Sequence, residues 1–245
     1  MSKRVLILPD AHAHPEYDND RFSRLGKFIS KEKPDEVWCL GDFADMPSLS
    51  HHDRGKISFE GRRYTKDIEC TVDAQKRLWG YKYKPKRIMV RGNHDCTNGR
   101  HGKVVGENPA LQGTVKIEDL RYQDFWDEIH PFKTVANLDN VAVSHYFVGG
   151  VQGRPIGGEN IAKAMLRKNL MSSICGHTHI YDEAEMTDAI GRRRFALCAG
   201  NFSHPEYKEG WNLDTVAKWW YGVVMLRGVH DGTCSGMDKI GMEEL

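Results

Sequence analysis

The chain has 245 residues, and a chain of this length buries about 70–75% of the surface that its unfolded form exposes. Folding therefore requires neither a disulfide nor a metal ion. Hydrophobic residues make up 40% and charged residues 28%, which is typical of a folded globular protein and argues against a disordered one. The formal net charge of +1 excludes a strong overall basic field. No apolar run approaches the ~20 residues of a membrane span, so we expect no membrane partner.

The cysteines and the N-terminal segment indicate a compartment. The apolar run at residues 5–8 is too short for the core of a signal peptide. The six cysteines form no C-x-x-C pair, and several lie in apolar runs, where a free thiol packs as a small hydrophobic group. We therefore expect reduced thiols and a cytoplasmic location.

The first half of the chain alternates predicted strands and helices. Short apolar runs predict buried strands, and apolar residues at helical spacing predict amphipathic helices. In chain order the elements are a strand at 3–8, a helix at 20–31, a strand at 36–40, a helix at 67–79 and a strand at 87–90. This alternation is typical of βαβ units and of a mostly parallel sheet.

The second half has a more antiparallel pattern, with two predicted hairpins. In chain order the elements are a helix at 118–128, paired strands at 135–137 and 141–144, a helix at 159–167, a strand at 172–175, paired strands at 183–188 and 193–199, and a last strand at 221–227. We predict one domain over residues 1–245, a four-layer α/β/β/α sandwich of two mixed β-sheets flanked by helices. Segments 46–83 and 96–116 are expected to be substrate-facing insertions, and 200–211 is a third segment of this kind.

Five of the predicted strands end in clusters of polar residues. Parallel strands bring their carboxyl ends to one edge of a sheet, where ligands bind in open α/β folds. The clusters are Asp10-Ala11-His12, Gly41-Asp42-Phe43-Ala44-Asp45, Gly92-Asn93-His94-Asp95, the single His145 and Gly176-His177-Thr178-His179. We therefore expect these side chains, which are distant in sequence, to share one site.

Together the clusters offer oxygen and imidazole ligands without a thiolate, a set that suits first-row transition metals. The seven candidate ligands are Asp10, His12, Asp42, Asn93, His145, His177 and His179. Seven ligands are too many for one tetrahedral zinc ion. They suit two metal ions that share a bridging carboxylate, the usual arrangement for hydrolysis of phosphate esters.

The five clusters, in this order over residues 10–179, resemble the calcineurin-like metallophosphoesterase superfamily. Its pattern is D-x-H, G-D-x-x-D, G-N-H-[DE], a lone H after a strand, and G-H-x-H. The resemblance implies a first metal held by Asp10, His12 and His179, and a second metal held by Asn93, His145 and His177. It implies that Asp42 bridges the two metals.

The resemblance also implies the roles of two catalytic residues. His94 would face the substrate and stabilise or protonate the leaving oxygen, and Asp95 would orient His94. One departure is Tyr146, which stands where the family often has glycine. We expect Tyr146 to narrow the site or to contact the substrate. The other seven histidines are interpreted as surface or core residues, and His14, His51 and His52 are the ones nearest to the motifs.

The implied reaction is hydrolysis of a phosphate ester by a hydroxide that bridges two divalent transition-metal ions, with His94 assisting the leaving group. Manganese is the first choice of metal, and iron, zinc, cobalt and nickel also suit these ligands. A small phosphodiester or a nucleotide is the expected substrate, because the chain is compact and has no large appended module. A phosphoprotein is the third choice.

Two alternatives stay open. Residues 74–91 hold seven cations, no acid and three interleaved aromatics, a pattern typical of a single-stranded nucleic-acid platform, and a DNA or RNA nuclease is therefore the runner-up. The same residues also fit a helix end followed by a solvated loop.

The alternative of another class is a non-catalytic, metal-binding interaction scaffold. Against the scaffold, every ligand position of the pattern is present here.

Overall fold

The computed structural model describes residues 2–207 and 216–245. The described helices are α1 (Asp20–Glu32), α2 (Tyr64–Trp79), α3 (Arg100–Glu107) and α4 (Ile161–Asn169). The described strands are β1 (Lys3–Leu8), β2 (Glu36–Cys39), β3 (Lys86–Val90), β4 (Glu128–His130), β5 (Ala136–Leu138), β6 (Val141–Val143), β7 (Ser173–Cys175), β8 (Tyr181–Thr187), β9 (Arg193–Ala199), β10 (Gly222–Val229) and β11 (Gly236–Gly241). None of the described helices combines the length and apolar character that crossing a membrane requires.

The strands form two mixed sheets. The first has the order β11-β10-β1-β2-β3-β4, in which β1 to β4 are parallel and β10 runs antiparallel to β1. The second has the order β5-β6-β7-β9-β8, with β6, β7 and β9 parallel to one another. The hairpins β5–β6 and β8–β9 are antiparallel, as their sequence pattern predicts.

The alternation of side chains along β1 shows how the layers pack. Val5 and Ile7 lie in the core between the two sheets, whereas Leu6 and Leu8 pack beneath α1 and α2. A strand buried on both faces reads as a continuous apolar run, as β1 does. On the far side, Met165 of α4 packs on the outer face of the second sheet. The order of layers is therefore helix, sheet, sheet, helix, which confirms the predicted four-layer sandwich.

The helix predicted at 118–128 is wrong. Residues Ile117–Leu120 and Tyr122–Asp124 form two 3₁₀ turns, separated by Arg121 at a left-handed φ of 56°. Residues 128–130 then join the first sheet as β4, which pairs with β3. The backbone hydrogen bonds of this edge strand outweigh a helical apolar spacing, which is only a local preference.

Two other elements were not predicted. Strand β11 closes the opposite edge of the first sheet against β10. Helix α3 lies inside the glycine-rich segment 96–116 and packs next to the turn at Pro47–Leu49. Of the third segment, 200–211, only residues up to 207 fall within the described chain.

Candidate metal centre

The carboxyl ends of five strands meet at one edge of the sandwich. The turn after β1 is joined to the turn after β2, because the N–H of His12 donates to the carbonyl of Asp42 at 2.9 Å. The turn after β7 is joined to β1, because the N–H of His177 donates to Asp10 Oδ1 at 2.9 Å. The two sheets therefore contribute to one site.

The first group of side chains consists of Asp10, His12 and His179, all of them buried. The Nε2 atoms of His12 and His179 are 3.1 Å apart. Asp10 Oδ1 lies 3.9 Å from His179 Nε2. The structure brings together the three side chains that the resemblance assigns to the first metal.

The second group surrounds a single nitrogen, Nε2 of His145. That atom lies 3.0 Å from Asn93 Oδ1, 3.1 Å from His177 Nδ1 and 3.3 Å from Asp42 Oδ2. Nδ1 of His145 donates to the carbonyl of Leu40 at 2.8 Å, so Nε2 is the nitrogen that faces the group. The side chains assigned to the second metal therefore converge as well.

Asp42 and Asp10 connect the two groups. His145 Nδ1 lies 3.8 Å from Asp10 Oδ1, and Asp42 acts electrostatically on both Asp10 and the second group. Burial by itself would raise the pKa of Asp42, but His145 and His94 hold that pKa well below its usual value. Asp42 is thus an ionised carboxylate of the second group that also interacts electrostatically with Asp10 and His12 of the first group.

The buried charged groups indicate which kind of ligand the site binds. Burial raises the pKa of Asp10 to about 6. Burial alone would lower the pKa of His145, yet the carboxylates of Asp42 and Asp10 raise it to about 10. These buried carboxylates therefore favour a positive charge beside them, and converging imidazole nitrogens and carboxylate oxygens are what transition-metal ions bind. The residues present therefore fit two divalent metal ions.

The backbone at this edge is strained in the way that functional sites often are. Non-glycine residues adopt left-handed φ values here: 41° at His12, 46° at Asp42, 72° at His177 and 61° at His179. Gly176 shows the close packing, because a Cβ atom at this position would collide with the carboxylate of Asp10. These turns aim side chains into the site at the expense of local backbone energy.

Asp45, rather than Asp95, is the carboxylate that contacts the ring of His94. Asp45 Oδ1 lies 3.1 Å from His94 Nδ1 and 2.9 Å from His12 Nδ1. Asp95 instead accepts the N–H groups of Gly92 and Phe43 at 2.8 and 2.9 Å. Asp95 thus holds the backbone turns that carry Asn93, His94 and Asp42, and any orientation of His94 by Asp95 would act through this backbone.

Sequence reasoning missed two further residues of this site. Arg100, the first residue of α3, places Nη2 3.1 Å from His94 Nε2 and donates from Nη1 to the carbonyl of Asp45 at 2.6 Å. The Tyr207 hydroxyl donates to Asp45 Oδ1 at 2.7 Å, and its ring stacks on His12. The role of Asp45 could have been found from the sequence, because Asp45 is the second aspartate of the G-D-x-x-D motif, whereas Arg100 and Tyr207 belong to no motif.

Tyr146 and two histidines also border the site. The ring of Tyr146 lies 5.0 Å from the ring of His177. A cavity of about 330 Å³ is lined by Tyr146, His94 and His177 together with His51 and His52. Those two histidines, interpreted from the sequence as surface or core residues, therefore line the cleft.

Most of the basic and aromatic segment 74–91 lies elsewhere. Its loop at 80–85 leads into the amino end of β3, at the edge of the sheet opposite the candidate metal centre, whereas Arg91 follows β3 at its carboxyl end. Trp79 is buried, and the hydroxyls of Tyr81 and Tyr83 donate to the carbonyls of Ser23 and Pro34 at 2.9 and 2.7 Å. The aromatics are packed on the protein and do not form an open stacking platform.

The fold and the site define the class of protein, a phosphoesterase sandwich with paired ligand clusters at the strand ends. A family profile described as calcineurin-like phosphoesterase matches residues 3–181, and the chain belongs to this family of enzymes that hydrolyse phosphoric ester bonds. The resemblance found in the motifs is confirmed. No protein of curated function matches the sequence.

Two solved structures are similar to this chain. One is an archaeal phosphodiesterase, 13% identical, with 91% of this chain and 92% of that chain covered and a TM-score of 0.41. The other is the Pseudomonas putida nuclease MPE, 16% identical, with 84% of this chain and 78% of that chain covered and a TM-score of 0.38.

Proposed function

We propose that this enzyme hydrolyses a small phosphodiester or a nucleotide at a centre of two divalent metal ions. Asp10, His12 and His179 would hold one ion, and Asn93, His145 and His177 the other, with Asp42 shared between them. The observation that carries the proposal is the pair of ligand groups, which meet at Asp42 and Asp10 at the carboxyl ends of the strands. Two metals at such spacing are the common solution for phosphoryl chemistry.

When bound, the metal ions would supply Lewis-acid stabilisation of phosphoryl oxygens and a lower pKa for a water nucleophile. The protein contributes the orientation of the ligands. The Leu40 carbonyl holds His145 in one tautomer at 2.8 Å, and Asp45 holds the ring of His12 at 2.9 Å. Loss of such a supporting contact typically lowers metal affinity or activity by about 10–100-fold. Manganese is the metal we would test first, because the ligand set mixes hard oxygens with imidazoles.

His94 is the proposed general acid. Among the described residues its Nδ1 faces two acceptors, the carbonyl and the carboxylate of Asp45 at 3.0 and 3.1 Å, so Nδ1 carries a proton. Nε2 is the atom that faces the site, 3.9 Å from Asp42 Oδ2, and it accepts from Arg100 Nη2 at 3.1 Å. His94 would therefore act on the leaving oxygen at Nε2 once substrate displaces the Arg100 contact.

The cavity next to His94 supports a small substrate. Its volume of about 330 Å³ lies near the lower end of the range for small-molecule sites. Segment 46–83 contributes Leu49, His51 and His52 to its wall, and segment 96–116 contributes Asn98, Arg100 and Lys103. We propose that both segments are substrate-facing insertions of one domain, 1–245. The six free cysteines suit the reducing cytoplasm, which we propose as the location.

The test compares bis-p-nitrophenyl phosphate with p-nitrophenyl phosphate, using metal-stripped full-length enzyme reloaded with manganese. We expect two ions per chain by elemental analysis and a clear preference for the diester. Preference for the monoester would overturn the phosphodiester assignment and favour nucleotides or phosphoproteins. Absence of turnover on any phosphoester, with two ions bound, would support the interaction scaffold instead.

A further inference from the structure

Two cavities adjoin the candidate metal centre, and they differ in charge. The His94 cavity, of about 330 Å³, is bordered by Asn93, His94 and His177. The His14 cavity, of about 620 Å³, lies on the other side of Arg100 and His52, which border both. Four carboxylates line the His14 cavity, those of Glu16, Asp45, Asp53 and Glu60. Among the described residues that line the His94 cavity, none is acidic.

Three cations line the His94 cavity together with the candidate metal ligands Asn93 and His177. Arg100 and Lys103 are three residues apart on α3 and therefore lie on one face of the helix. Lys133, from the turn after β4, faces the same cavity and is exposed. Within residues 2–207 and 216–245 neither Lys103 nor Lys133 makes an ion pair with an acidic side chain. Two exposed lysines and Arg100, which itself lies 3.5 Å from Asp45 Oδ2, therefore form a cationic wall of this cavity.

The location of these cations matters more than their number. Arg100 lies 3.1 Å from His94 Nε2, so the cationic wall begins beside the atom that faces the reacting group. Lys103 lies one helical turn further along α3. A substrate whose reacting phosphate sits at the metal ligands would place its neighbouring groups against this wall. A phosphate is the group that arginine and lysine side chains bind most strongly at such a surface.

We propose that the His94 cavity binds a second phosphate group of the substrate through Arg100, Lys103 and Lys133. The preferred substrate is then a phosphoester that carries at least two phosphate groups, one reacting at the metal centre and one held in the cavity. This proposal rests on the proposed function and narrows its substrate class. The His14 cavity is the poorer second-phosphate site, because its cations already pair with its carboxylates, Lys56 and Arg62 with Asp53 and Arg100 with Asp45.

The proposal is tested first by binding, with ligands that cannot be hydrolysed. Calorimetry on the manganese-loaded enzyme compares propane-1,3-bisphosphonate with propylphosphonate, which differ by one phosphonate group. We expect the second group to tighten binding by about tenfold, as a pair of charge-assisted contacts can. The double variant Lys103→Met, Lys133→Met should reduce this ratio to about twofold or less.

The matched control is Lys163→Met on α4, an exposed lysine that lines neither cavity. It should keep the wild-type ratio. Equal affinity of the two phosphonates for the wild-type enzyme would overturn the proposal. So would a double variant that behaves like the Lys163 control.

Kinetics then identify where the second phosphate comes from. Thymidine 5′-(p-nitrophenyl phosphate) is compared with the same compound bearing a 3′-phosphate. A higher kcat/KM for the 3′-phosphorylated substrate, reduced in the double variant, assigns the subsite to nucleotides or oligonucleotides. If no phosphoester is turned over while the phosphonate pair still discriminates, the proposed function fails and the cationic subsite stands.

Discussion

The two ends of the parallel strands carry similar residue types in opposite environments. At the amino ends, Lys86 pairs with Glu128 at 2.9 Å, and these side chains are 53% and 43% exposed. At the carboxyl ends, His12 lies 2.9 Å from Asp45, and these side chains are 1% and 4% exposed. The pairs have similar lengths, but only the second has been removed from water.

The difference shows at which end of the strands the protein buries charged groups at a cost in stability. Exposed ion pairs contribute about 0–1 kcal/mol, because water already solvates both partners. Buried carboxylates without full compensation destabilise the fold, and a protein retains them where they do chemistry. Buried charged groups are therefore the feature that distinguishes the carboxyl ends of the strands, where ligands bind, from the amino ends, where the charged groups are exposed. The following substitutions test that distinction.

Asp42→Ala should have the largest effect, because it removes the carboxylate that we propose both metal ions share. We expect loss of at least one metal ion and a fall in phosphoesterase activity of about a thousandfold or more. Elemental analysis and hydrolysis of bis-p-nitrophenyl phosphate measure the two effects. Full activity with unchanged metal content would refute the two-metal assignment.

His94→Ala separates chemistry from metal binding. We expect both metal ions to remain and turnover to fall by about a hundredfold, which is typical for loss of a general acid. Metal content and kcat are measured on the same preparation. His12, Asp45 and His94 also form a potential ligand group, so loss of metal together with activity would make His94 a ligand instead.

Asp67→Asn tests the cost of a buried carboxylate that lies beside the site and is no candidate ligand. Its Oδ2 accepts from Ser48, its Oδ1 has no partner among the described residues, and burial raises its pKa from 3.8 to about 6. Between about pH 4 and pH 6 the folded state therefore holds a proton that the unfolded state releases. The stability of the folded protein is unaffected by Asp67 below about pH 4 and decreases as the pH rises through 6.

The Asp67→Asn variant has no carboxyl group to ionise at this position. Between pH 5 and pH 8 the free energy of unfolding of the wild type should therefore fall by about 1 kcal/mol relative to that of the variant. Urea unfolding of both proteins at the two pH values measures the difference. Parallel pH dependences would show that Asp67 is already ionised in the folded protein at pH 5.

Arg77→Gln, at the other edge, should have the smallest effect. The guanidinium pairs with Asp73 at 2.7 Å and Asp20 at 2.9 Å, and all three side chains are exposed. We expect a loss of stability of about 0.5 kcal/mol and no change in hydrolysis. Oligonucleotide binding, measured at two salt concentrations, should also be unchanged. A weaker, less salt-dependent affinity would restore segment 74–91 as a nucleic-acid surface.

The sequence predicted the elements whose patterns are local. The apolar runs of β1, β2 and β3 and the periodicity of α1 and α2 are properties of neighbouring residues, and the structure contains these elements close to their predicted bounds. The segment at 117–130 failed because its conformation depends on pairing of β4 with β3, which is distant in sequence. Helical spacing alone cannot report such a partner.

The same division holds for the site. The seven candidate ligands follow from motifs at strand ends, because parallel strands necessarily bring their carboxyl ends together. The tertiary structure alone decided that Asp45 contacts His94, that Arg100 reaches His94 from α3, and that His51 and His52 line the cleft. A strand carries its end residues to a predictable place, whereas a loop or a short helix is positioned only by what it packs against.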